Sequence, residues 1–151
     1  MIEKTQEKNI TVNRKANHDY FIQQTYEAGI VLVGTEVKAL RQNRANLVDS
    51  YATISNGEVW LKNLNISVYD QASYNNHDPL RDRKLLLTKS EIRKLNKAVS
   101  EKGCTLIPLR LYFKEGKAKV ELAIAVGKRQ YDKREDIAKR DLNREMQRML
   151  K

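Results

Sequence analysis

The chain has 151 residues and carries 29 Lys plus Arg against 19 Asp plus Glu, a net charge of +10; that length suits one domain with or without an arm, and that charge draws polyanions. No apolar run approaches the roughly 18 residues that would span a bilayer, and the first residues lack the apolar segment of a secretory signal, so no membrane role is expected. The single Cys104 cannot form an internal disulfide, which points to a reducing, cytoplasmic setting.

Residues 1–12 are polar without periodicity and read as a flexible arm. From about Tyr20 the run YFIQQTYEAGIVLVG is β-rich, and Gly29 inside it predicts a bulge or sharp bend. GTEVKALRQN reads as a short helix with Thr35 as N-cap and Glu36 in its first turn. Val37 and Leu40 would face inward, and Lys38, Arg41 and Arg44, spaced by three, would form a basic edge. Asn56-Gly57 between two β-rich runs predicts a tight type I′ hairpin, because both turn residues need positive φ. Residues 67–84 are polar, contain Asn-Asn and a proline, and read as an irregular stretch, functional or mobile.

Thr88-x-x-Glu91 is a capping box that opens a second helix, with Ile92, Leu95 and Val99 on its apolar face and Gly103 at its C-terminal cap. A second hairpin follows and turns near Glu115-Gly116. In its last strand Val120, Leu122, Ile124 and Val126 alternate with Lys119, Glu121, Ala123 and Ala125 until Gly127 ends the pattern. The expected fold is mainly β: a small closed antiparallel OB-like barrel of about six strands with two short helices, since closure removes exposed strand edges. The division expected is an arm over 1–12, a barrel over 13–126 and a basic tail over 127–151.

Little here could perform chemistry. His18, His77 and Cys104 are too few for a Cys/His zinc site, and Cys104 at a strand start suits a small apolar role. No phosphate-binding glycine loop is present. Glu27, Glu36 and Asp49 fit solvated ion pairs better than the paired carboxylates of a nuclease. No catalysis, metal or cofactor is expected. Binding is better supported: Arg81, Arg83 and Lys84, near Tyr69 and Tyr74, join phosphate-neutralising cations to rings that can stack on bases.

The tail is different in kind. Residues 127–151 hold 9 of the 29 basic residues and 5 of the 19 acidic ones, a net of +4. On a helix, Ala138, Leu142, Met146 and Met149 make a narrow apolar seam, and Lys133, Arg140, Arg144, Arg148 and Lys151 a cationic row. Like charges at Arg140–Arg144 and Arg144–Arg148 oppose an isolated helix, so the tail reads as a segment that orders on RNA.

EAGIVLVGTEVKALR (27–41), GEVWL (57–61), RKLLL (83–87) and GKRQYDKRED (127–136) together resemble the bacterial SsrA-binding protein (SmpB) family, from about Asn13 to the C-terminus. The resemblance implies an OB-like barrel that binds the tRNA-like domain of transfer-messenger RNA (tmRNA) and delivers it to ribosomes stalled on messages without a stop codon. It implies a protein without chemistry of its own, monomeric when free, acting with alanyl-tRNA synthetase and elongation factor Tu on the same RNA. Its motifs imply an RNA-facing set of Asn13, Arg14, Tyr20, Glu27, Glu36, Lys38, Arg41 and Lys84. They imply that Gly127, Lys128, Arg129, Tyr131, Asp132, Lys133 and Arg134 enter the empty mRNA channel of the small ribosomal subunit. Two positions depart from the family pattern: Val126 stands where many relatives have lysine. Tyr131 replaces a frequent histidine and cannot become cationic near neutral pH.

Overall fold

Two β-hairpins and one long strand generate the architecture. In the computed structural model, which describes residues 7–68 and 76–128, β8 (Thr105–Lys114) and β9 (Lys117–Gly127) form the longer hairpin, and β4 (Tyr51–Ser55) and β5 (Glu58–Lys62) the shorter one. Both turns use left-handed backbone, with φ of 52° and 73° at Asn56-Gly57 and 52° and 78° at Glu115-Gly116. That geometry matches the right-handed twist of the flanking strands. β2 (Tyr20–Ile30) runs antiparallel to β9, and β7 (Arg83–Leu86) bridges β5 and β2. The order β8-β4-β5-β7-β2-β9 closes by the β8–β9 pairing, giving an OB-like barrel.

Gly29 sits where β2 changes partners, opposite Lys119 of β9 and Leu86 of β7. A Cβ there would lie 3.3 Å from the Leu86 Cβ, so close approach of strands explains the glycine. The bulge in this strand lies elsewhere, between Ile22 and Gln24.

Among the described residues, three helices decorate the barrel: α1 (Ala16–Asp19), α2 (Gly34–Arg41) and α3 (Lys89–Lys102). α3 opens with the expected Thr88–Glu91 capping box and ends at Gly103 in the left-handed conformation. Leu95 is fully buried, whereas Val99 is exposed and Ala98 packs against the core in its place. A second short pairing joins β3 (Ala45–Asn46) to β6 (Asn65–Ile66).

The main core fills the barrel with Leu40, Leu61, Leu85, Leu106, Leu111 and Leu122. A smaller cluster of Ala16, Ile107 and Ala125 lies beneath α1, flanked by Tyr20, Ile22 and Leu109. β9 is therefore covered on both faces along part of its length, which is why its second face carries Ala123 and Ala125.

Three local expectations are corrected. The stretch read as a flexible arm contains β1 (Glu7–Val12), which pairs with β8 through a bulge between Asn9 and Thr11. Its side chains are polar because an outer strand has one solvent face and ion-pair partners, described below. Thr35 is not the cap of α2: Val33 holds that position, and Glu36 accepts its amide. Arg44 lies beyond the helix, after Asn43 turns the chain with φ of 57°. Within the 67–84 segment, the described residues before β7 (67–68 and 76–82) are irregular, as expected, but the segment contributes buried His77 and Arg83; Tyr69 and Tyr74 lie outside the described residues.

Candidate nucleic-acid interface

α2 is anchored from beneath by a buried charge cluster. Glu36 and Arg83 are both fully buried and form an ion pair between Oε2 and Nε. Arg81 Nη2 donates to the other Glu36 oxygen at 2.5 Å. The remaining Arg83 donors reach the carbonyls of Leu64 at 2.6 Å and Pro79 at 3.1 Å. Burial pushes the Glu36 carboxyl up, but donation from Arg81, the Val33 amide and Arg83 outweighs it and holds the group below its ordinary value. The adjacent His77 is buried too: Nε2 faces the Ile66 carbonyl at 2.8 Å and must donate, and Nδ1 meets the Thr35 hydroxyl at 2.9 Å. Residues 64–66 and 77–83, distant in sequence from α2, thus converge beneath it.

The consequence for the surface is simple. Glu36 is the one carboxylate of α2, and it points inward, while Lys38 and Arg41 are exposed on the same helix. The outward face of the helix carries two cations, and its one carboxylate is turned inward. Glu36, fully buried, is closed off from a macromolecule and instead fixes the helix that carries Lys38 and Arg41. The same holds for Arg83, expected from sequence to neutralise a phosphate. Lys84, next in β7, is half-buried with its Nζ 3.3 Å from Glu58.

Asn13, Arg14 and Tyr20 gather around α1. Asn13 Nδ2 donates to the Pro108 carbonyl at 3.1 Å, and Arg14 is exposed beside it. Asn13, Lys15, Tyr20, Asp49 and Tyr51 line a recess of about 290 Å³. Two tyrosines and a lysine around such a recess suit an unstacked base and its phosphate.

Glu27 belongs to an ordered ladder on the outer surface. The Tyr112 hydroxyl donates to it at 2.7 Å, and Lys114 Nζ lies 3.1 Å away. Donation by Tyr112, followed by the Lys114 contacts, outweighs desolvation and lowers the Glu27 pKa, while burial and then Glu27 push the phenol up. Arg110 lies 3.9 Å over the Tyr112 ring and joins Glu121 at 2.7 Å and Glu7 at 3.0 Å. This ladder stitches β1 to the barrel. Beside it opens a shallow cavity of about 410 Å³ lined by Gly29, Leu32, Val37, Leu86, Phe113 and Lys119. Leu86 (53% exposed) and Lys119 were missed from sequence. The cross-strand rung Gly29–Lys119 that joins them has no local signal.

Glu27, Glu36 and Asp49 are thus committed to three different settings, and no group of three or more His, Cys, Asp or Glu side chains able to hold a metal occurs among the described residues. No helix among them is long and apolar enough to cross a membrane. Gly127 and Lys128 are described; Arg129, Tyr131, Asp132, Lys133, Arg134 and the helical stripes of 132–151 lie outside the described residues.

The SmpB protein family model matches residues 10–151. The chain is 61% identical over 142 residues to the SsrA-binding protein of Desulforudis audaxviator, covering 94% of this chain and 93% of that one. It is 58% identical over 148 residues to the SsrA-binding protein of Acetivibrio thermocellus, covering 98% and 96%. A solved structure described as "tmRNA-SmpB: a journey to the center of the bacterial ribosome" matches with a TM-score of 0.65 and 53% identity, over 77% of this chain and 82% of that one. With a barrel of the expected topology and similarity running through almost the whole sequence, the chain belongs to the SmpB family.

Proposed function

We propose that this chain binds the tRNA-like domain of tmRNA and brings it to stalled ribosomes for trans-translation. The observation that carries the reading is α2, whose carboxylate is buried and whose outward charge is cationic. It is supported by relatives named SsrA-binding protein and by the tmRNA-SmpB ribosome structure. Lys38 and Arg41 supply phosphate contacts; Arg14, Tyr20, Lys84 and the Glu27 surface extend the footprint, with Asn13 and Glu36 holding its parts in place. Residues 13–126 form the RNA-binding body. Residues 127–151, with Gly127 and Lys128 at the root and Arg129, Tyr131, Asp132, Lys133 and Arg134 beyond, probe the empty mRNA channel. Alanyl-tRNA synthetase and elongation factor Tu act on the same RNA. The protein works in the cytoplasm, as a monomer when free, and catalyses nothing itself.

The direct test compares binding of tmRNA with an unrelated RNA of equal length across a salt series. Preference for tmRNA at every salt supports the reading. Equal affinity for both RNAs would reduce it to a general RNA-binding barrel. Incubation with labelled RNA and a divalent metal should leave the RNA intact.

A further inference from the structure

β9 does not release the chain where its alternation stops. Gly127 still pairs with Tyr20, and Lys128 then folds over the end of α1. Its Nζ donates to the Asn17 carbonyl at 2.8 Å and stands 5.2 Å from the centroid of the Phe21 ring. Both contacts follow from position. α1 is a single turn, so the Asn17 carbonyl lies in the stretch where the helix supplies no donor of its own and the peptide dipoles leave negative charge. Phe21 follows at the start of β2 and is 41% exposed, which leaves its ring accessible to a cation.

We infer that Lys128 is a positioning residue that clamps the root of the C-terminal segment onto α1 and Phe21, fixing where and in which direction the chain leaves the barrel. The inference rests on reading 127–151 as the ribosome-directed segment. It changes the role of Lys128 within that segment, from a residue that enters the channel to an anchor on the folded body. The carbonyl and the ring that hold it belong to the barrel itself, at the edge where the last rung is formed. A root held at one place on the folded body fixes where whatever follows it is presented, which favours one destination.

A double-mutant cycle in the full-length protein tests this. Phe21→Leu removes the ring and keeps the lysine charge, Lys128→Met removes the charge and keeps the stem, and Phe21→Tyr keeps a ring. Amide exchange at the Tyr20–Gly127 rung should speed up about two- to fivefold in either single variant, the range of a partly exposed cation–ring contact. It should rise little further in the double variant and return to normal in Phe21→Tyr. Peptide tagging should fall by a similar factor in Phe21→Leu, with tmRNA affinity unchanged. Wild-type exchange and tagging in Phe21→Leu would overturn the inference, as would losses that multiply in the double variant. If the wild-type protein tags nothing, the proposed function fails, and the exchange cycle still decides whether the clamp exists.

Discussion

Glu36 shows how a side chain can support the proposed RNA surface without belonging to it. Its neighbours in sequence make it look like one more charge on a solvated helix, but it is the counter-ion of a buried guanidinium. Glu36→Gln keeps the shape and leaves Arg83 charged and unpaired, so it should destabilise the fold by about 3–5 kcal/mol. Urea unfolding at neutral pH would measure the loss, and Glu36→Gln with Arg83→Met should recover a large part of it. The pH dependence has a definite sign. The folded-state pKa of Glu36 lies below its ordinary value of 4.5, so its contribution is complete above about pH 4.5 and is lost as pH falls through the folded value. The acid branch of the stability profile should therefore flatten in Glu36→Gln. An unchanged acid branch would assign the acid sensitivity to other carboxylates.

At the scale of elements, α2 and β1 make opposite demands. α2 is expected to touch RNA, so Lys38→Ala with Arg41→Ala should weaken tmRNA binding and reduce the log–log salt slope by roughly 0.7–0.9 per lost phosphate contact. The circular dichroism spectrum should stay unchanged. β1 is expected to hold the barrel: removing residues 1–12 strips Glu7 and Asn9 from Arg110 and uncovers an edge of β8, so the melting temperature should drop by several degrees. A truly loose arm would leave it unaltered. The same contrast shows what was legible in the sequence. Asn56-Gly57, Thr88-x-x-Glu91 and Gly103 act within a few residues of themselves, and each stands where its local chemistry requires. β1 was not legible, because its pairing partner is about a hundred residues away and its polar side chains satisfy a ladder formed only after folding. The Glu36–Arg83 pair, 47 residues apart, was hidden for the same reason.

The whole molecule divides its labour along the chain. In the proposed reading, the barrel and its helices carry the RNA surface and the C-terminal segment makes the contact with the ribosome. The alternation of β9 ends at Val126, but Gly127 still pairs with Tyr20 and Lys128 still contacts Asn17, so a shortened chain that keeps these contacts ends at Lys128. A chain ending there keeps every core strand and the cations of α2. Such a chain should deliver tmRNA to ribosomes and fail to support tagging, and replacing Asp132, Lys133 and Arg134 together by Ala should reproduce most of that defect. The most direct measurement is the equilibrium affinity of this shortened chain for the tRNA-like domain of tmRNA. A dissociation constant close to that of the full chain is the expected result; a collapse of affinity while the barrel stays folded would place the primary RNA site in the tail and contradict the division.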